Sequence, residues 1–215
     1  MEIELKIGLA TEADRTLLIK KFGPPKQNIS QRNLFLDGEN GELRAEKYVL
    51  RVRREREFPA AGPVVERVIL ALKGQNIGKG VLCKREEIEN PLGLSLDELE
   101  RSPARLLLMA SPPISALKER LPALATLKSL GSFDNDRAVI PVALTIEGES
   151  VAMTWEVDRT VFPGGRVECE LEIELGDEHG AEAIAKAVED ILAEAGVKTV
   201  AQPRGKFSRF LSCLK

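Results

Sequence analysis

The 215-residue chain is 43% apolar, which is enough for a sizeable hydrophobic core and excludes wholesale disorder. Charged residues make up 30% and nearly cancel, with 31 Lys and Arg against 34 Asp and Glu. A net charge of −3 and an aromatic content of 4% argue against nucleic acids and anionic membranes as partners. The placement of so many charges of both signs is therefore the feature to explain.

Eight segments alternate between apolar and polar residues with the period of two that is typical of β-strands. They cover residues 2–9, 31–37, 48–53, 64–73, 81–89, 137–147, 151–160 and 167–175. Helical patterns cover residues 11–21, 95–109, 113–121, 178–195 and 205–214. No linker or repeat divides the chain, so we expect a single domain over residues 1–215.

The rare residue types narrow the chemistry. His179 is the one histidine and lies in a loop-like segment, which excludes mechanisms that need several histidines. Cys83, Cys169 and Cys213 lack metal-binding spacing, and we expect the first two to pack in the core. The sparse cysteines, with neither a secretory signal nor a membrane-spanning apolar run, predict a protein of the cytoplasm.

The polar faces of the predicted strands are strongly charged. They carry Glu2, Glu4 and Lys6; Arg51 and Arg53; Arg85, Glu87 and Glu89; Glu156 and Asp158; and Glu168, Glu170, Glu172 and Glu174. A solvated face of an antiparallel sheet is the simplest interpretation. However, four glutamates on one strand face repel each other, and arginine-rich strands recur in the same chain. This combination favours charged faces that point toward each other.

Eight antiparallel strands can close into a barrel. If the charged faces point inward, the apolar faces point outward and the predicted helices cover them. The expected fold is then α+β, with a tunnel lined by charges of both signs. Clustered carboxylates bind hard divalent cations such as Mg²⁺, and clustered Arg and Lys bind phosphate. A tunnel that carries both suits a metal-bound polyphosphate.

The order of the charged motifs resembles the CYTH superfamily, the triphosphate tunnel metalloenzymes, over almost the whole chain. Glu2, Glu4 and Lys6 form an N-terminal ExExK motif like that of the family. Further segments that resemble it are 31–37, 50–53, 70–74, 85–89, 134–137, 158, 170–172 and 206–209. The family often has Ser before the lysine of the last motif, where this chain has Gly205. The chain looks most similar to the bacterial inorganic triphosphatase branch.

The resemblance implies an eight-stranded tunnel that binds a triphosphate and either Mg²⁺ or Mn²⁺. The implied metal ligands are Glu2, Glu4, Asp158, Glu170 and Glu172. The implied phosphate-binding residues are Lys6, Arg51, Arg53, Lys73, Arg85, Arg137 and Lys206. The catalytic candidates are Glu2, Glu4 and Lys6, and the expected supporting residues are Glu87, Glu89, Glu168 and Arg209. Lys6 either contacts phosphate or pairs with a glutamate, and Lys206 and Arg209 either reach the tunnel or cap their helix.

The implied function is hydrolysis of inorganic tripolyphosphate to pyrophosphate and phosphate. Three alternatives stay open: a thiamine triphosphatase, a class IV adenylate cyclase and a non-catalytic polyphosphate-binding module. The first two need a pocket for thiamine or adenine, which one Trp and one Tyr support weakly. A non-catalytic polyphosphate-binding module would not need the carboxylates of the predicted metal site. The insertion at 91–132 either covers the barrel or mediates a homodimer.

Overall fold

The computed structural model describes residues 1–59, 61–146, 148–202 and 204–214. Within them, the strands are β1 (Glu2–Leu9), β2 (Gln27–Asp37), β3 (Val49–Pro59), β4 (Val65–Lys73), β5 (Leu82–Arg85), β6 (Glu87–Leu92), β7 (Lys128–Ile146), β8 (Glu149–Val161), β9 (Val167–Glu174) and β10 (Thr199–Val200). The α-helices are α1 (Glu12–Phe22), α2 (Glu42–Ala45), α3 (Leu96–Arg101), α4 (Pro112–Arg120), α5 (Ala181–Glu194) and α6 (Lys206–Ser212). The predicted strand end at residue 147 lies outside the described residues.

The sheet closes on itself through one interrupted strand. β5 pairs with β1, β6 pairs with β4, and only Glu86 separates β5 from β6. The antiparallel ring runs β1, β9, β8, β7, β2, β3, β4 and then β6–β5 back to β1. With β5 and β6 counted as one bent strand, the predicted eight-stranded barrel is confirmed; β10 is a two-residue addition to β1.

The hydrophobic core lies outside the barrel wall rather than within it. On one side, Leu5 of β1 and Leu171 of β9 are buried in a cluster that includes Leu18 of α1 and Val188 of α5. The polar residues between them on the same strands face the interior, because successive side chains point to opposite faces. The predicted α+β architecture with outer helices is confirmed. Among the described residues, no helix combines the length and the apolar character needed to cross a lipid bilayer.

The insertion between β6 and β7 covers the other side of the barrel. Leu99 of α3 and Leu117 of α4 are buried in one cluster with Leu50 and Leu70 of the wall. The predicted single helix at 95–109 is wrong, because α3 ends at Arg101 and a 3-10 helix follows over Pro103–Leu108. Proline has no backbone N–H to continue an α-helix, which explains the break.

The α6 helix packs against one end of the barrel. The ring of Phe210 stacks on that of Phe35 with centroids 5.2 Å apart, and Phe133 joins the same buried cluster. Gly131 of β7 lies beside them with φ +111°, and an added Cβ would contact the Phe210 ring at 3.4 Å. This packing fixes α6 so that its first residue, Lys206, reaches the barrel interior.

Candidate functional site

Charged side chains of both signs line a cavity of about 210 Å³ inside the barrel. All seven cations that the sequence predicts as phosphate ligands lie in its wall: Lys6, Arg51, Arg53, Lys73, Arg85, Arg137 and Lys206. The predicted acidic residues in the wall are Glu2, Glu4, Glu87, Glu89 and Glu172. Asp158 and Glu170 lie behind the wall and are completely buried. The sheet therefore brings these dispersed motifs together.

Strand register explains how β1 contributes to this wall. Ile3, Leu5 and Ile7 point outward, so Glu2, Glu4 and Lys6 point inward. Lys6 faces Glu172 across the β1–β9 pair, and its Nζ lies 2.9 Å from Glu172 Oε1 and 3.0 Å from Glu4 Oε1. Lys6 therefore pairs with two glutamates, which is one of the two roles predicted for it.

Three buried carboxylates, which we call the carboxylate trio, come together behind Lys206. Asp158, Glu170 and Glu172 each offer an oxygen within 4.8 Å of the others. Lys206 Nζ donates hydrogen bonds to Asp158 Oδ2 at 2.7 Å and to Glu172 Oε1 at 2.9 Å, and also contacts Glu170 Oε1. Burial opposes the charged ammonium, but these carboxylates outweigh it and raise the pKa of Lys206.

Arg137 is the second cation that holds the trio. Its Nε and Nη2 donate to the two oxygens of Asp158, both at 2.8 Å, and Nη2 also donates to Glu172 Oε2 at 2.6 Å. Burial disfavours the carboxylate charge, yet Arg137 and Lys206 keep the pKa of Asp158 below its usual range. A two-point contact of this kind favours an ionised carboxylate. The trio therefore stays anionic and is suited to cation binding.

The donor set of the trio fits a hard divalent cation. Mg²⁺ and Mn²⁺ prefer oxygen ligands, and the trio offers three carboxylates. Glu170 Oε1 is buried and contacts only the Lys206 ammonium among the described residues, so a cation at this position already has a ligand atom facing it. The structure does not bring Glu2 and Glu4 into this cluster, and their predicted role as metal ligands stays a prediction.

Two cations that do not contact the carboxylate trio, Lys73 and Arg85, pair with Glu2 and Glu4. Glu2 accepts hydrogen bonds from Lys73 Nζ at 3.1 Å and from Arg85 Nε at 2.6 Å. Arg85 Nη2 also lies 3.5 Å from Glu4 Oε1. Burial, together with the nearby Arg51, lowers the pKa of Lys73 to about 8. Lys73 and Arg85 already pair with glutamates, so an anion that binds here shares them with Glu2, Glu4 and Glu87.

The strongest evidence for an anion-binding surface comes from Arg51 and Arg53. They lie on the inward face of β3 and pair with glutamates that also contact other cations: Glu87 and Glu89 for Arg51, and Glu55 and Glu89 for Arg53. The Nε of Arg51 is buried without a hydrogen-bond partner in the described part of the chain. Burial and the neighbouring Arg53 lower the pKa of Arg51 to about 10. An anion between the two would relieve both costs.

The remaining predicted residues contact the charged groups of the wall. Arg209 contacts Glu168 and Glu170, so it does not line the cavity but holds the outer oxygen of Glu170. Glu87 accepts a hydrogen bond from Lys73, and Glu89 lies beside both arginines of β3. Glu168 and Arg209 lie behind the wall, at the supporting positions expected for them, whereas Glu87 and Glu89 line the cavity themselves.

Several wall residues were missed by the sequence analysis as site residues. They are Gln31, Asn33, Phe35, Val49, Phe133, Glu156, Glu174 and Phe207. Strand phase alone gives some of them, because Glu156 shares a face with Asp158 and Glu174 shares one with Glu172. The phenylalanines carried no such signal, since apolar residues are expected on the outer face of this barrel.

Comparison with known proteins assigns this architecture to a family. A model of the CYTH domain matches residues 1–204. Among solved structures, HpAC1 from Hippeastrum, described as an adenylyl cyclase candidate with a dominant triphosphatase activity, aligns with a TM-score of 0.80 at 25% identity, covering 99% of this chain and 96% of that one. No curated protein matches the sequence significantly.

Two more distant structures share the fold. The PH1819 protein from Pyrococcus horikoshii has a TM-score of 0.63 at 18% identity, covering 99% of both chains. An adenylate cyclase candidate from Bacillus halodurans has a TM-score of 0.59 at 22% identity, covering 98% of this chain and 97% of its own. The family match spans nearly the whole sequence and agrees with the closed barrel and its charged lining, so this chain belongs to the CYTH family.

Proposed function

We propose that this protein is a divalent-metal-dependent triphosphatase whose preferred substrate is inorganic tripolyphosphate. One observation carries the proposal: seven cationic side chains line one cavity, and a buried carboxylate trio reaches the same wall through Glu172. A binding module for phosphate alone would not need the trio. The triphosphatase activity described for HpAC1, at 25% identity over nearly the full chain, supports the same reaction class.

The proposed roles follow from the two sides of the cavity. Arg51, Arg53 and Arg85 hold phosphate oxygens and offset the charge that develops during transfer. A divalent cation bound by the carboxylate trio supplies Lewis-acid polarisation of a phosphate oxygen. Glu2 and Glu4 are the groups proposed to add cation ligands or to orient the attacking water. Lys73 has two acidic partners and completes the anion-binding side.

An organic triphosphate is the second candidate substrate. Phe35, Phe133 and Phe207 line part of the cavity, next to the charged wall. Aromatic faces of this kind pack against thiamine or adenine rings as readily as against each other. The observation favours testing thiamine triphosphate and ATP beside tripolyphosphate.

One substrate panel tests these proposals. Tripolyphosphate, thiamine triphosphate and ATP are each incubated with Mg²⁺ or Mn²⁺, and phosphate, pyrophosphate and cyclic AMP are measured. We expect tripolyphosphate to give the highest kcat/KM, with pyrophosphate and phosphate as products. Cyclic AMP from ATP would assign a cyclase instead, and tight tripolyphosphate binding without turnover of any substrate would make the protein a binding module. The Arg51→Ala, Arg53→Ala double variant controls for contaminating phosphatases.

A further inference from the structure

Lys206 occupies the centre of the carboxylate trio. Its ammonium hydrogen-bonds Asp158 and Glu172 and contacts Glu170, which places one nitrogen among all three ligand oxygens. Oxygens within 4.8 Å of one another leave room for one cation between them. A divalent ion bound by these oxygens at about 2.1 Å requires the same position. The ammonium and the ion therefore exclude each other.

We propose that Lys206 is an exchangeable internal cation: it neutralises the trio until a divalent ion displaces it, and the freed ammonium then binds the triphosphate. The inference rests on the proposed function, because it takes the trio as the cation site. It adds that cation binding exposes a phosphate ligand that is otherwise engaged. Lys206 also lines the cavity, so its ammonium can reach an anion there without leaving the site.

The other cations of the site are held in ways that do not allow this exchange. Arg137 binds both oxygens of Asp158 through a planar group and also contacts Glu156 and Glu172. Lys6 contacts only Glu172 of the trio. Among the described residues, only Lys206 meets all three carboxylates, and its flexible four-carbon stem carries a single point charge.

The helix that carries Lys206 is anchored separately from it. Phe210 is completely buried, and Arg209 is held by Glu168 and Glu170. Lys206 is the first residue of α6, and no side chain caps this helix end. Its side chain can therefore change rotamer while the helix stays in place.

Charge balance favours the exchange. The three carboxylates of the trio already contact four cations, Lys6, Arg137, Lys206 and Arg209, so their charges are fully offset. A divalent ion added beside Lys206 would leave an excess of positive charge in a buried site, which is costly. Departure of the ammonium reduces that excess, and an arriving triphosphate neutralises what remains.

The test compares Lys206→Met with Lys73→Met, a matched control that removes the same charge from a cavity residue that does not contact the trio. Mn²⁺ binding without phosphate is followed at pH 7 by the electron paramagnetic resonance signal of the free ion. We expect Lys206→Met to bind Mn²⁺ at least about tenfold more tightly than wild type, and Lys73→Met to change the affinity less than about threefold.

Metal-free tripolyphosphate binding, measured by calorimetry, should show the reverse pattern. Without the ion, Lys206 stays on the trio, so Lys206→Met should bind tripolyphosphate within about threefold of wild type. Lys73→Met should lose about tenfold, because this lysine lies on the anion-binding side. Thermal unfolding with and without Mn²⁺ checks that each variant folds, and Lys206→Gln serves as a second variant.

The outcomes separate the inference from the proposed function. If wild type binds Mn²⁺ but Lys206→Met binds it no more tightly than Lys73→Met does, the exchange is wrong and the proposed function stands. If Glu172→Gln and Lys206→Met both bind Mn²⁺ with the same affinity as wild type, the trio is not the cation site. That result would overturn the inference and the metal assignment together.

Discussion

Glu172 and Glu174 lie two residues apart on the same face of β9, yet their surroundings differ. Glu172 is buried and contacts Lys6, Arg137 and Lys206, whereas Glu174 is exposed and has no ion pair within the described residues. Burial disfavours the charge of Glu172, but Lys206 and Lys6 outweigh it and hold its pKa well below the usual range. One strand face thus supplies both a candidate metal ligand and its control.

Glu172→Gln removes one carboxylate from the trio while preserving its shape. We expect at least about a tenfold loss of Mn²⁺ affinity and a larger loss of kcat, since even outer partners of metal sites change affinity by about 10–100-fold. Glu174→Gln should leave the Mn²⁺ affinity within about twofold of wild type, because Glu174 lies outside the trio. Calorimetric Mn²⁺ titration and steady-state kinetics measure both effects, and equal losses in the two variants would contradict the assignment.

Arg51 and Arg53 can be tested against a third arginine of the same strand. Each Arg→Ala change should weaken apparent tripolyphosphate affinity by about 10–100-fold, because a charge-assisted hydrogen bond contributes about 1.5–3 kcal/mol. Arg56 pairs with Glu66 at the surface, and Arg56→Ala should leave the affinity unchanged. The phosphate-binding assignment would be wrong if all three variants bound tripolyphosphate alike in a calorimetric titration.

At this scale, strand phase predicted most of the site. Residues that alternate with apolar positions, such as Glu4 and Arg53, were predicted to lie on the charged faces of their strands, and these faces line the cavity. The contact of Lys206 with the trio was not predictable in this way. It depends on where Phe210 docks the last helix, which is a tertiary contact with no local sequence signal.

Among the elements, β3 carries a buried carboxylate that links three strands. Glu55 accepts hydrogen bonds from Gln31 of β2 at 2.9 Å and from Arg67 of β4 at 2.7 Å. It also lies 2.8 Å from Arg53 Nε on its own strand. Burial opposes its charge, but Arg53 and Arg67 outweigh that effect and lower the pKa of Glu55. Glu55 therefore positions Arg53 and holds the neighbouring strands together.

This linkage predicts a pH-dependent contribution to stability. A carboxyl whose pKa is lowered by folding stabilises the protein above its ordinary pKa of 4.5, and that contribution disappears as the pH falls through the lowered value. Glu55→Gln should cost about 2 kcal/mol at pH 7, and the difference from wild type should shrink below about pH 4.5. Urea unfolding at several pH values measures this. The exposed Glu66→Gln is the control, expected within about 0.5 kcal/mol at every pH; a Glu55→Gln deficit that stayed constant with pH would contradict the linkage.

Element boundaries were predicted best where the apolar pattern was regular. β1 and β9 match their predicted spans closely, but β7 begins at Lys128 rather than at residue 137. Its first part contains Gly131 and the polar run 134–136, so it lacks the alternation that marks a strand. β2 and β3 also extend past their predicted spans, because their ends are paired through charged residues such as Arg56 and Glu57.

For the whole molecule, the sequence pattern shows which residues share a face but not which face is inside. Either orientation satisfies the alternation of β1. The repulsion within the glutamate row of β9 and the recurrence of arginine-rich strands favoured the charged face as the interior, and this was confirmed. The closing bend at Glu86 was not predicted, since a single residue between two strand segments leaves almost no trace in the sequence.

Ligand binding should stabilise the closed barrel as a unit. The cavity draws its wall from strands all around the ring, so a bound triphosphate and cation resist its opening. At about 100 times the Kd, a ligand adds about 2.7 kcal/mol, or about 5–10 °C in Tm for a protein of this size. In differential scanning fluorimetry, Mn²⁺ with tripolyphosphate should raise the Tm by more than the sum of the two separate shifts, and EDTA should abolish the added shift. Additive effects would argue against one shared site.

The pairing of β1 with β9 also has a consequence for how the protein acquires its structure. Gly8 of β1 faces Glu170 of β9, so two strands that are far apart in the sequence pair directly. One edge of β1 stays unpaired until β9 has been synthesised. Such distant pairings slow folding, because loop closure costs entropy before the contacts form. During synthesis the inward charges of β1 therefore emerge long before their partners. A ribosome-bound chain that stops before β9 should stay open to proteases, and the site should form last, in the same step that seals the ring.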